Sequence, residues 1–232
     1  MLENKMKTYL GENYSENKIK NFLKYWQMPS KSRKTTDLDC IYLNGDLNAD
    51  TLISFWTPLK WVLQILHPKQ KFYKIVRDGK DPYRYLKELE KNLSGFLPQN
   101  DELVKLIYKL ASLAETRANI ISLPVRKMNV LRYSYFYDEV PPTLDHAFKD
   151  GRFHHYFGSD EAVLEWICEQ KLQPAFYNNE PSKENIRPLL TNLPLGEAKW
   201  PKTREEVTII LKEMICLLEA RYRLLDEDEV FA

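Results

Sequence analysis

Residues 144–157 read LDHAFKDGRFHHYF and contain three of the four histidines of the chain. Histidines and carboxylates are the usual ligands of catalytic zinc and the usual acids and bases of hydrolysis. The candidate catalytic residues are Asp145, His146, His154 and His155, and the candidate metal ligands are Asp138, His146, His154 and His155. In such a site the metal would lower the pKa of a bound water, and a free carboxylate would take its proton.

The spacing of these residues matches no recognised metal-ligand motif, and the adjacent His154 and His155 must point in different directions on a helix or a strand. The same stretch also contains four aromatic residues, which are Phe148, Phe153, Tyr156 and Phe157. The favoured interpretation is an aromatic turn that is anchored on the core, with half-exposed histidines at its edge. A metal-assisted hydrolase, including a nuclease, is the alternative.

A second group of residues could bind anions. Arg117 occupies a position that its predicted helix otherwise gives to leucine, isoleucine and alanine, and residues 116–137 contain no acidic residue. The candidate anion-binding residues are Arg117, Arg126, Lys127 and Arg132. Because a buried guanidinium needs a partner, the favoured interpretation of Arg117 is a structural pair with an acid of the second half, and an anion or nucleic-acid phosphate is the alternative.

The sequence lacks the motifs of several common enzyme classes. The seven glycines are at least seven residues apart, whereas phosphate cradles of the P-loop and dinucleotide types need clustered glycines. HExxH and GxSxG are also absent. The sequence therefore argues against P-loop enzymes and the usual nicotinamide-dependent dehydrogenases, and we expect no cofactor.

The net charge of +1 hides a division of the chain. Residues 1–137 contain 23 Lys/Arg against 14 Asp/Glu, a net +9, and residues 138–232 contain 11 against 19, a net −8. A basic half can mark a nucleic-acid surface. The favoured interpretation is that the two halves pack against each other and neutralise their charges internally, because a phosphate binder usually keeps a basic total.

Apolar residues at helical spacing indicate at least six helices. These helices are predicted between Ser15 and Pro29, over 50–68 as one buried helix or two joined at Thr57-Pro58, between Asp81 and Gly95, over about 101–121, between Ser159 and Pro174, and from Thr203 to about Leu225. Thr57, Ser159 and Thr203 are predicted N-caps, the last in a capping box with Glu206. Several residues are predicted to face inward in these helices, including Leu93, Leu164, Cys168, Cys216 and Tyr222, and the acidic run 226–229 is predicted to fray.

Strands are predicted at 38–43 and, from strict alternation, at 130–137. Five prolines between 174 and 201 interrupt an apolar segment, which predicts an ordered irregular connection over about 172–203. The sequence therefore predicts a mainly α, irregular multi-helix single domain over 1–232 with one or two short strand pairings. An α+β domain is the alternative.

The chain has no signal-peptide run and no stretch of eighteen apolar residues, and its three cysteines are isolated, so a cytoplasmic protein without membrane contact is expected. The favoured function is non-enzymatic binding of another macromolecule, either a protein partner or a second copy through an exposed stripe of the last helix. Nucleic-acid binding through Arg126, Lys127 and Arg132 is the further alternative.

Overall fold

The computed structural model describes residues 48–69, 82–114, 116–123, 140–189 and 201–230. The side chains of residues 48–50, 117, 122 and 226–230 are outside that description. The described elements, in chain order, are β1 (Asn48–Thr51), α1 (Trp56–Leu66), α2 (Pro82–Asn92), α3 (Glu102–Ala114), β2 (Ile120–Leu123), α4 (Val140–Ala147), α5 (His154–Phe157), α6 (Asp160–Glu169) and α7 (Arg204–Val230).

The described residues are mainly helical, which confirms the predicted fold class. β1 and β2 form an antiparallel two-stranded sheet, in register from Asn48 opposite Leu123 to Thr51 opposite Ile120. Among the described residues, one further antiparallel bridge joins Phe176 to Ile186. The strands predicted at 38–43 and 130–137, and the helix predicted between Ser15 and Pro29, lie outside the described residues.

Two predicted helices proved too long, because their ends form the small sheet. The helix predicted over 101–121 ends at Ala114, and residues 50–51 belong to β1. The buried amide of Asn119 explains both limits, since its nitrogen donates to the carbonyls of Ala114 and Ile53 and its oxygen accepts from the Ile53 amide at 2.8 Å. One side chain thereby ends a helix and fixes the chain beside β1.

The helix α1 is central, as its apolar pattern predicted. Leu59, Trp61, Val62 and Leu63 are all buried, although they point to different sides of the helix. The predicted cap at Thr57 was wrong, because α1 begins one residue earlier at Trp56 and places Thr57 inside its first turn.

The helix α7 begins at the predicted capping box. The hydroxyl of Thr203 accepts from the amide of Glu206, and the Glu206 carboxylate accepts from the amides of Lys202 and Thr203. The helical backbone of α7 includes residues 226–229 and continues to Val230, and the fraying of this end stays a prediction.

The helices α3 and α7 run in the same direction and connect the two halves of the chain. Arg204 pairs with Asp101 at 2.7 Å, and Lys109 pairs with Glu219 at 2.5 Å further along both helices. Hydrogen bonds from Arg204 hold the pKa of Asp101 below its usual value. The buried apolar residues from both halves form one cluster, so the halves pack against each other.

Most ion pairs between these helices join an acid of the basic half to a base of the acidic half, which is the reverse of what the charge division of the sequence predicts. Two of the three described pairs, Arg204 with Asp101 and Lys212 with Glu102, take their acid from the basic half. The packing of apolar residues therefore joins the halves, and the surface ion pairs add little.

Several residues predicted to face inward are exposed at the surface. They are Leu93, Leu164, Tyr222, Cys168 and Cys216. The proline-rich segment is described up to 189, where three short 3-10 turns hold Phe176 and Ile186 in the core. That part is ordered and irregular, while 190–200 lie outside the description and the single domain over 1–232 stays a prediction.

Candidate functional site

The histidine-rich stretch comprises the last turn of α4, the turn that follows it, and α5. Asp145 and His146 lie in the last turn of α4, and His154 and His155 begin α5. Phe153 is fully buried and Phe148 nearly so, which anchors the turn on the core as the aromatic interpretation predicts. Gly151 contacts the backbone of His146 so closely that a Cβ at this position would overlap it.

His146 holds the far side of this turn. Its Nδ1 accepts a hydrogen bond from the Arg152 amide at 2.9 Å, and its carbonyl accepts from the Phe153 amide at 2.5 Å. A backbone amide can only donate, so Nδ1 is unprotonated. Desolvation lowers the pKa of His146, with smaller contributions from Arg152 and Lys183, whereas Asp145 acts in the opposite sense.

His154 fixes the same turn from the other end. Its Nδ1 lies 3.1 Å from the Ala147 carbonyl, which can only accept, so this nitrogen carries a hydrogen. The same Nδ1 is 3.6 Å from Asp160, whose carboxylate also accepts from the Lys149 amide. His155 is exposed and its ring lies on Tyr156, at 3.7 Å between ring centroids.

The geometry therefore uses one nitrogen of His146 and one of His154 to hold the backbone of the turn. Among the described residues, no three His, Cys, Asp or Glu side chains converge in a way that could hold a metal ion. The proposed ligand set also includes Asp138, which lies outside the description, so the metal-site hypothesis stays a prediction.

The predicted anion-binding group is mostly outside the described residues. Arg117 lies in a 3-10 turn that joins α3 to β2, and its side chain is not described. Arg126, Lys127 and Arg132 lie within 124–139, which the structure does not describe. Whether these residues bind an anion stays a prediction.

The buried cation that the structure does show is Arg221, which is 1 % exposed. Its guanidinium donates to the carbonyls of Gln170, Ala118 and Ile120, the first and last at 2.7 Å. Burial lowers the pKa of Arg221 to about 9, so the group is charged at neutral pH. Arg221 thereby ties α7 to the end of α6 and to β2.

Sequence reasoning missed Arg221 although a signal existed. Among the buried residues of α7, Val207, Leu211, Met214, Leu218, Arg221 and Leu225 follow one another in steps of four and three, with Ile210, Ile215 and Leu217 buried beside them. The apolar pattern predicted Tyr222 in place of Arg221, because Tyr222 is the more hydrophobic neighbour. Strict alternation would have selected the arginine.

A surface that sequence reasoning did not single out lies on α2 and α3. We define the α2–α3 face as Tyr83, Arg84, Lys87, Lys91, Lys105 and Tyr108. The rings of Tyr83 and Tyr108 meet edge to face, with centroids 5.8 Å apart. The Lys87 ammonium lies 5.8 Å from the first ring centroid and 5.2 Å from the second.

Hydrogen bonds to two glutamates of α2 fix side chains of the α2–α3 face. The hydroxyl of Tyr108 donates to the Glu90 carboxylate at 2.9 Å, and the Arg84 guanidinium donates to Glu88 at 3.1 Å. Desolvation, and then the hydrogen bond to Glu90, raise the pKa of Tyr108 to about 12. Tyr83 nevertheless remains 45 % exposed, so the cluster presents an aromatic ring to solvent in a fixed position.

Comparison of the chain with protein-family models, with curated proteins and with solved structures gave no match. In the part of the chain that the structure describes, no helix has the length and apolar character to cross a membrane.

Proposed function

We propose that this protein is a non-enzymatic interaction domain that binds a protein partner through the α2–α3 face. The observation that carries the proposal is the exposed Tyr83 ring, which is held against Tyr108 and Lys87. Tyrosine is enriched at the energetic centres of protein interfaces, because it offers a large contact area and has few rotamers to lose.

The α2–α3 face is also preorganised. Tyr108 is fixed by Glu90, and Lys87 is held over both rings and 4.0 Å from the same carboxylate. Side chains that are already ordered lose less conformational entropy on binding, so more of the contact energy appears as affinity. This arrangement favours recognition of a partner over an incidental surface contact.

The contacts of the histidine-rich turn give two of its histidines a structural role. The Nδ1 atoms of His146 and His154 are bonded to the backbone of Arg152 and Ala147, so both rings help to hold the turn. We therefore place the binding function on the α2–α3 face.

A cytoplasmic location fits the cysteines. Cys168 and Cys216 are exposed free thiols. Exposed thiols of this kind persist in a reducing compartment and are oxidised in the secretory pathway. We therefore propose the cytoplasm as the place where the partner is met.

The test compares two tyrosines of nearly equal exposure. Tyr83 is 45 % exposed on the α2–α3 face, and Tyr177 is 46 % exposed in the segment after α6. We expect Tyr83→Ala to lose one specific partner in quantitative affinity capture, and Tyr177→Ala to retain it. Tyr83→Phe, which preserves the ring, should also retain it. The captured protein is then purified and its affinity for each variant is measured directly.

Equal affinity of the purified partner for Tyr83→Ala and for the wild type would contradict the proposal. So would equal losses for Tyr83→Ala and Tyr177→Ala. Melting curves of both variants serve as the control for folding, since a truncated surface tyrosine should leave the fold intact.

A further inference from the structure

The charges of the α2–α3 face are unbalanced. It presents four exposed cations, Arg84, Lys87, Lys91 and Lys105. Two partly exposed carboxylates lie among these cations: Glu88, which accepts from Arg84, and Glu90, which accepts from Tyr108 and lies 4.0 Å from Lys87. The remaining acid of these helices, Glu102, pairs with Lys212 of α7 at 2.6 Å.

Two of the four cations could pair with a ligand, because neither Lys91 nor Lys105 forms an ion pair within the described part of the chain. Lys91 lies four residues after Lys87, and Lys105 lies three residues before Tyr108, so each begins one helical turn from a residue that contacts the Tyr83 ring.

We infer that the α2–α3 face takes an acidic polypeptide segment. Carboxylates of the segment would pair with Lys91 and Lys105, and an apolar or aromatic side chain would lie on the exposed ring of Tyr83. The inference rests on the proposed function and adds the chemistry of the partner. Complementary charge also speeds the encounter and excludes basic partners.

Charge density favours a peptide over a nucleic acid. Proteins that grip a phosphate backbone commonly neutralise about 6–10 phosphates. The α2–α3 face has four cations, and Glu88 and Glu90 lie among them. A peptide can place its carboxylates beside Lys91 and Lys105 and its apolar groups elsewhere, whereas a nucleic acid would bring a phosphate close to each glutamate.

The probe is a short fluorescent peptide in which glutamate alternates with leucine, called here the Glu-Leu peptide. Its control has glutamine in place of each glutamate. We expect the full-length protein to bind the Glu-Leu peptide in low salt, to bind the control at least about tenfold more weakly, and to lose affinity as salt is added.

The matched variants are charge reversals on two surfaces. Lys91→Glu with Lys105→Glu should weaken binding of the Glu-Leu peptide about tenfold or more, while Lys149→Glu with Lys183→Glu, which changes two exposed lysines on other elements, should retain it. Because Lys91 lies in the last turn of α2, where a glutamate is unfavourable, Lys91→Gln with Lys105→Gln serves as a second variant.

Three outcomes would overturn the inference. They are equal binding of the two peptides, no effect of the Lys91/Lys105 variants, and tighter binding of an oligothymidylate than of the Glu-Leu peptide. Tighter binding of the oligothymidylate would indicate that the α2–α3 face binds nucleic acid. If the Lys91/Lys105 variants still bind the captured partner while Tyr83→Ala does not, the acidic chemistry is wrong and the proposed interface stands. If neither change affects the partner, both proposals fail.

Discussion

The α4–α5 turn and the α2–α3 face use similar residue types in opposite ways. In the turn, the histidines, an aspartate and the backbone amides bond to one another, and Phe153 is buried beneath them. In the face, Tyr108 and Glu90 bond to each other, and the ring of Tyr83 and two lysines remain directed to solvent. The contacts of the turn therefore stabilise the fold, whereas the exposed side chains of the face support the proposed binding of a partner.

The comparison teaches that a high density of reactive side chains in the sequence does not by itself show which atoms are engaged in the fold. The turn holds most of the histidines in the sequence, yet its polar atoms satisfy the backbone of the same chain. The residue types of the α2–α3 face give no signal in the sequence. The cluster forms only because two helices bring Tyr83 against Tyr108. The partners of a side chain decide its role more than its type does.

The largest expected effect on stability concerns Arg221. It tests whether polar groups that are bonded inside the chain stabilise the fold. Arg221→Met should lower the free energy of unfolding by about 3–5 kcal/mol, because three carbonyls would lose a buried donor. Denaturant unfolding measures this change. Arg223→Met, an exposed arginine in the same helix, is the control, and equal stability of the two variants would refute the role of Arg221.

The next largest effect addresses the turn itself. Gly151→Ala should cost about 2–3 kcal/mol, because the new methyl group would overlap the backbone of His146. Gly158→Ala is the matched control, since Gly158 has open space around it and only the strain of its positive φ, about 1 kcal/mol. A Gly151→Ala protein as stable as Gly158→Ala would show that the turn can shift freely.

A smaller effect should appear with pH. The folded-state pKa of His146 is lowered, so its contribution to stability is present above pH 6.5 and is lost as the pH falls through the folded-state pKa. Protonated Nδ1 would face the Arg152 amide, donor against donor, at a cost of about 1–2 kcal/mol. His146→Asn, which keeps an acceptor, should flatten this acid dependence in urea unfolding. His155→Asn, which changes an exposed histidine of the same turn, is the control variant. An acid dependence that is flattened by His155→Asn and not by His146→Asn would contradict the role given to His146.

The smallest effect on stability is expected for the α2–α3 face. Tyr83→Ala should lower the free energy of unfolding by less than about 1 kcal/mol, since the ring is half exposed and loses one edge-to-face contact. Thermal unfolding measures the change. A loss as large as that of Gly151→Ala would mean that Tyr83 is a packing residue and would erase the contrast between the two regions.

Five of the described α-helices and two of the three predicted caps could be located from the sequence because their signals are local, whereas α4 and α5 were not predicted and the cap at Thr57 was wrong. The stripe of Leu103, Ile107 and Leu110 marks the buried side of α3. The caps at Ser159 and Thr203 are both formed, by hydrogen bonds to residues three positions away. Such patterns need no knowledge of the rest of the fold.

The features that could not be predicted depend on contacts between distant residues. Asn119 ends α3 because its amide also bonds to Ile53, which is 66 residues away. Tyr83 meets Tyr108 only because α2 and α3 pack side by side. For the candidate site, the sequence located the histidine-rich turn and its aromatic anchors, but the role of each nitrogen required the folded backbone.

The most direct test of this contrast is a titration of the isotope-labelled protein with the Glu-Leu peptide, followed by amide chemical shifts. The account predicts shifts in α2 and α3, centred on Tyr83, Lys91 and Lys105, and none in residues 146–157. Shifts confined to residues 146–157 would contradict it, because the turn would then be the binding site and the α2–α3 face would be inert.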